Sequence, residues 1–161
     1  MTKKRVLFIT LSWLLVLLTM LIIYNFSEES GDKSTETSGD VIKDVLDIVM
    51  PEEEITDDVV KKYQIPFRKL AHFAIFMLLG FSLANAYKIT INIKLFYIYL
   101  ISFGTSSLYA LFDELHQGFV VGRGTTLKDF LIDSLGGLIG VCIFILLQFI
   151  FNKFIKIKIR H

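Results

Sequence analysis

The stretch LFYIYLISFGTSSLYALF, residues 95–112, holds no charged side chain and runs directly into Asp113-Glu114-Leu115-His116-Gln117. An apolar helix needs roughly 17 to 25 residues to cross a bilayer, so this run reads as a membrane span with ionisable groups crowded at its end. Three more uncharged runs flank it, residues 6–27, 70–87 and 134–152. With 53% hydrophobic residues and a mean hydropathy of +0.59, the composition departs from that of a soluble domain in the same direction. The expected fold is all-α: a polytopic membrane protein, a bundle of four transmembrane helices with short extracytoplasmic helices between the first and second spans.

The charges outside the spans set an orientation. Lys3, Lys4, Arg5, Lys88, Lys94, Lys153, Lys156, Lys158 and Arg160 fall on one side of the membrane with no acidic residue among them. All 16 Asp and Glu residues fall on the other side. By the positive-inside rule the basic side is cytoplasmic. Both termini are then expected in the cytoplasm, with the chain crossing the membrane several times and the Asp113 cluster facing outward. The first run is longer than a signal-peptide core, and Tyr24-Asn25-Phe26-Ser27 offers no small-residue cleavage site, so an uncleaved anchor is expected. Cys142 is the only cysteine, which rules out an intrachain disulfide.

The spans divide the chain into an anchor (1–27), an extracytoplasmic linker (28–67), a three-span core (68–152) and a basic tail (153–161). Ser27 to Asp40 is rich in Ser, Thr, Gly and acidic residues, and is expected to be a flexible linker for want of apolar surface. After it, Val41, Ile42, Val45, Leu46, Ile48 and Val49 recur at helical spacing. That amphipathic segment should lie on the membrane surface or against the bundle. Pro51 should end it. Glu52-Glu53-Glu54 should begin another short helix running toward Gln64, its acidic run complementing the helix N-terminus, and Pro66 should break the chain before the second span. Trp13 lies too deep in its span for an interfacial anchor.

Helical spacing then places the polar residues. Ser102, Ser106, Tyr109 and Asp113 step by four, three and four, forming one polar stripe on the third span. Asp129, Asp133, Gly136 and Gly140 do the same on the fourth, and the two stripes are expected to face each other. Gly136 and Gly140 would let a neighbouring backbone approach closely. On the second span, His72, Phe76, Leu79 and Leu83 share a face, with Lys69 one turn before His72. The loop Gly118 to Gly124 turns the chain; its Arg123 can fold back onto carboxylates or a phosphate, and Thr125 or Thr126 can cap the fourth helix. A carboxylate inside a bilayer costs about 2.5–3.5 kcal/mol at the helix centre and less nearer the interface, so Asp133 calls for a partner: Arg123, Lys69, His72 or a proton.

The runs Arg68-Lys69-Leu70-Ala71-His72-Phe73 and Asp113-Glu114-Leu115-His116-Gln117-Gly118-Phe119-Val120-Val121-Gly122-Arg123, followed by Asp129, Asp133 and Gly136-Gly137, resemble the motifs of the VanZ-like family of bacterial membrane proteins. The resemblance covers about Arg68 to Gly140, the first span and linker being similar in layout only. It implies a small multi-span bundle and an association with resistance to glycopeptide antibiotics of the teicoplanin type. Carried over position by position, the family's polar residues are Lys69, His72, Asp113, Glu114, Gln117, Arg123, Asp129 and Asp133. Phe76 stands where the family often has Tyr, and Val121 where a Pro commonly precedes Gly-Arg.

Three functional readings stay open. In the first, an outward-facing site at headgroup level acts on a lipid-linked or wall precursor. Glu114 or Asp113 serves as general base, His72 relays the proton, and Arg123 and Lys69, with Gln117, Asp129 and Asp133, hold an anionic headgroup. In the second, the same groups bind a wall precursor or a glycopeptide without catalysis. The third, proton-coupled transport, is weaker because no charge lies deep in any span. Asp113, Glu114, Asp129 and Asp133 could hold a divalent cation, joined by His72, but no metalloprotein signature such as His-Glu-x-x-His is present, so no metal or other cofactor is assigned. The bland alternative is an interfacial ion-pair network pinning the third and fourth helices, with His72 as a packing residue and His116 on the surface. The partners expected are the bilayer and an anionic precursor or glycopeptide, with no nucleic acid.

Overall fold

The computed structural model describes residues 2–49 and 56–159. Its five helices are α1 (Lys3–Glu28), α2 (Gly31–Val49), α3 (Asp57–Thr90), α4 (Leu95–Gln117) and α5 (Leu127–Ile159). Among the described residues there is no strand. α1, α3, α4 and α5 are each long and apolar enough to cross a membrane. Their outward leucines and phenylalanines, such as Leu7, Phe8, Leu70, Phe96 and Phe149, are exposed and suit contact with lipid. Pro51, the Glu52-Glu53-Glu54 run, Arg160 and His161 lie outside the described residues.

α3 is the central helix, touching all four others, and its interface with α5 is the most extensive. Lipid tails are as apolar as leucine, so helices in a bilayer associate through close packing and polar contacts. Small residues supply the packing here. A Cβ at Gly136 would overlap the Phe73 carbonyl, one at Gly140 the Met77 carbonyl, and one at Gly80 the Gly137 carbonyl. This revises one expectation. The glycines below Asp129 and Asp133 face the second span, α3, and it is Gly137 that makes room for Ser106 of the third span's stripe. The two stripes meet at their carboxylate heads, Asp113 and Asp133. Phe76, Leu79 and Leu83 fill the core from the shared face of α3.

α1 turns Ser12, Val16, Thr19, Ile23 and Ser27 inward, spaced so that they form one stripe of mostly small residues. Polar bonds fix it: Asn85 donates to Ser12 Oγ at 3.1 Å, and the Tyr109 hydroxyl to the Met20 carbonyl at 2.8 Å. Trp13 also acquires a role, its Nε1 donating to Thr90 Oγ1 at 3.0 Å while its ring packs edge-on against Tyr87. α1 is thus an integral wall of the bundle.

The region between the first two spans departs furthest from expectation. The stretch expected to be flexible is helical from Gly31 onward. Its order comes from packing: Ser34, Ser38, Ile42 and Leu46, four residues apart, form a buried stripe, and Ile42 and Leu46 join Val60 of α3 in a small core. Ser38 returns its hydroxyl to the Ser34 carbonyl, and Gln64 of α3 donates to the Thr35 carbonyl, so few polar groups of that stripe lack a partner. Pro66 does not break the chain either. The helix expected to run toward Gln64 and the second span are one helix, α3, with Pro66 inside it. The lost backbone bond is offset by the packing of α2 alongside, Phe67 included. At the far end, the basic tail continues α5 as far as Ile159.

Candidate functional site

At one end of the bundle α4 stops and a short loop leads to α5. The loop is built of successive turns: Phe119 N–H donates to the His116 carbonyl, Val120 N–H to that of Gln117 and Arg123 N–H to that of Val120. Only Gly122 takes a positive φ, +76°, where a side chain would be strained. There Gly31, the first residue of α2, comes against the Gly122 backbone and donates its N–H to the Val121 carbonyl at 3.0 Å. The Val121 carbonyl thus holds the start of α2. Thr126 caps α5, its Oγ1 accepting from the Asp129 N–H at 3.0 Å.

This loop, the end of α4, the stretch of α3 from Ile65 to His72 and the first turns of α5 surround a cleft of about 230 Å³. It is lined by Arg68, Lys69, His72, Gln117, Arg123, Asp129 and Asp133, together with Ile65, Ile132, Gly122 and Gly124. Of the eight positions carried over from the family motifs, Lys69, His72, Gln117, Arg123, Asp129 and Asp133 line it, while Asp113 and Glu114 do not. Lys69 pairs with Asp129 across the cleft. His72 Nδ1 lies 3.6 Å from Asp133 Oδ2, and Asp133 is only 2% exposed. One oxygen each of Asp113 and Asp133 and one ring nitrogen of His72 lie within 4.8 Å of one another.

The two residues outside the lining are both buried and both tied to neighbouring elements. Asp113 accepts from Ser27 Oγ at 2.6 Å and from Gln117 Nε2 at 2.8 Å, which fixes the end of α4 to the end of α1. Glu114 Oε1 accepts the Thr126 N–H at the start of α5, and its Oε2 has no partner among the described residues. A carboxylate there also complements the positive end of the α5 dipole.

Arg123 does not fold back onto a carboxylate, one of the two orientations expected of it. Its Nη2 donates to the Phe26 carbonyl at 2.7 Å, satisfying one of the free carbonyls at the end of α1. Its Nε and Nη1 are buried without a partner among the described residues. Burial pulls this guanidinium below its ordinary value, and Arg68 nearby adds to the effect. The cleft thus holds a cation short of acceptors. His116 belongs elsewhere: it bonds Glu28 at 2.8 Å and stacks on Tyr24, away from the cleft.

Two contributors escaped the sequence reading. Arg68 lines the cleft and stands directly before Lys69 in the quoted motif, so its position was available as a signal. Ser27 is fully buried and anchors Asp113; its signal was the four-residue step from Ile23 along the inward stripe of α1.

A family model described as VanZ/LLP1 matches residues 11–148. The chain belongs to the VanZ/LLP1 family. The match takes in α1 and α2 as well as the span from Arg68 to Gly140, so the family likeness reaches beyond the motifs. The chain is thus a VanZ-like membrane protein of a family associated with antibiotic resistance. No curated protein and no solved structure matches it.

Proposed function

We propose that the cleft faces outward from the bacterial cytoplasmic membrane and binds the phosphate-bearing headgroup of a lipid-linked envelope precursor, and that tolerance of teicoplanin-type glycopeptides follows from this binding. The observation that carries the reading is Arg123: half-buried, with Nε and Nη1 unpartnered, beside Arg68 and Lys69 at the same cleft. A buried guanidinium lacking acceptors is costly, and a phosphate supplies oxygens in the geometry its planar fork prefers. The outward orientation is supported by the charge asymmetry of the segments between spans. Ile65 and Ile132 give the cleft an apolar edge, which suits a ligand whose tail lies in the bilayer. Of the three acid–base candidates only His72 lines the cleft, so any proton transfer to a bound headgroup falls to His72, with Asp113 and Glu114 holding the helix ends around it.

The test is binding of a polyprenyl pyrophosphate to the purified full chain in lipid nanodiscs, read by native mass spectrometry. Arg123→Ala should weaken binding at least about tenfold, the loss expected for hydrogen bonds between charged partners. In a susceptible bacterium expressing the chain, the same substitution at equal protein level should abolish the gain in teicoplanin tolerance. Unchanged affinity in Arg123→Ala refutes the reading.

A further inference from the structure

We propose that His72, Asp113 and Asp133 form a three-ligand site for a divalent transition-metal ion, Zn²⁺ or Mn²⁺, at the inner wall of the cleft. Three helices contribute: α3 brings the imidazole, α4 and α5 one carboxylate each. Their ligand atoms already lie within 4.8 Å of one another. The separation of His72 Nδ1 from Asp133 Oδ2, 3.6 Å, is long for a hydrogen bond. It is close to the roughly 3.3 Å between two ligands of a tetrahedral ion with bonds of about 2.0 Å.

An independent observation points to a ligand there. Asp133 is 2% exposed, yet its Oδ1 has no hydrogen-bond partner among the described residues. Asp113, 5% exposed, lies against it, and two carboxylates this close and this buried repel. The neighbouring cations do not pair with them directly. Lys69 is engaged by Asp129, Arg123 donates Nη2 to the Phe26 carbonyl, and among the described residues no Lys or Arg lies within 4.0 Å of either carboxylate. His72 alone can offset at most one of the two negative charges. A dication neutralises both, and held by both oxygens of Asp133 it gives Oδ1 a partner.

The donor set narrows the choice of ion. One imidazole with two carboxylates suits Zn²⁺ or Mn²⁺ better than Ca²⁺ or Mg²⁺, which prefer oxygen alone. Asp113 has the support expected of a ligand: Ser27 and Gln117 hydrogen-bond its two oxygens, fixing its orientation while lone pairs stay free. Since His72 and Asp133 both line the cleft, the ion's remaining positions open into it, toward water or an oxygen of a bound headgroup. Only that last step rests on the headgroup reading; the metal site does not.

The test is isothermal titration of ZnCl₂ and MnCl₂ into the chelator-treated full chain in detergent micelles, without added lipid, so that its outcome is separate from that of headgroup binding. One ion per chain is expected. Asp133→Asn and His72→Gln should weaken it at least about tenfold, while His116→Ala, which removes a histidine outside the cleft, should leave it unchanged. No binding to the folded wild-type chain at 100 µM metal, a threshold on the order of the weak limit for an occupied site, overturns the proposal, as does binding that both substitutions leave intact. Should Asp133→Asn fail to fold, the wild-type chain loaded with Co²⁺ decides. Imidazole modulation in its electron spin-echo spectrum that disappears in His72→Gln supports the site, and modulation that persists overturns it.

Discussion

Ser27, at the inner edge of α1, donates a 2.6 Å hydrogen bond to Asp113 of α4, joining residues 86 apart in the chain where both side chains are buried. The first span therefore builds the site as well as anchoring the chain. Ser27→Ala should leave Asp113 with Gln117 as its remaining side-chain donor and lower stability by about 1–3 kcal/mol, the cost of stripping a buried charged acceptor. Reversible unfolding in mixed micelles measures this, and a loss under about 0.5 kcal/mol would show the bond to be incidental.

The α3–α5 contact makes a sharper forecast, because its glycines differ from Gly104 of α4. A methyl group at Gly80 or Gly140 meets backbone carbonyls, which cannot rotate away. Gly140→Ala should lower stability by about 1–3 kcal/mol, as overpacking does. Gly104, on α4, has open space where a Cβ would stand. Gly104→Ala should be neutral or stabilise by up to about 1 kcal/mol through helix propensity. Equal effects at the two positions would refute close α3–α5 packing as the source of the difference.

Both predictions draw on features that the sequence displayed in part. Uncharged runs of bilayer length revealed the four spans, and helical spacing put Asp113 and Asp133 on polar stripes and His72 on a shared face with Phe76, because both signals can be read along a single helix. What periodicity along one helix cannot supply is the choice of neighbour. Gly136 and Gly140 marked a close approach without saying to which helix, and Ser106 could not be matched with Gly137. The linker misled for a related reason. Ser34 and Ser38 look solvating by composition, yet they are small enough to pack α2 onto α3, and Ile42 and Leu46 complete the stripe. Pro66 was read as a local break, but the packing of α2 alongside sustains the helix around it.

Asp129 and Lys69 set the balance of charge at the cleft. Both side chains are more than a third accessible to water, at 34% and 39%, and their ion pair should contribute at most about 1 kcal/mol. Asp129→Asn should therefore cost little stability while freeing Lys69 and removing one negative charge from the lining. Affinity for a polyprenyl pyrophosphate should rise, and its dependence on salt should steepen. Arg68→Gln should do the reverse. A fall in affinity on Asp129→Asn would instead make Asp129 a direct contact of the ligand.

Glu114 offers the cleanest separation of acid–base chemistry from architecture. Its Oε1 accepts the Thr126 N–H at the mouth of α5, and it does not line the cleft. A glutamine keeps a carbonyl oxygen at that distance from Thr126 but cannot take up a proton as a carboxylate does. Glu114→Gln should therefore retain both stability, within about 0.5 kcal/mol, and the tolerance that expression confers, whereas Glu114→Ala should lose about 1–3 kcal/mol by orphaning the Thr126 N–H. Loss of tolerance in Glu114→Gln at undiminished stability and protein level would move Glu114 from a helix cap to the general base.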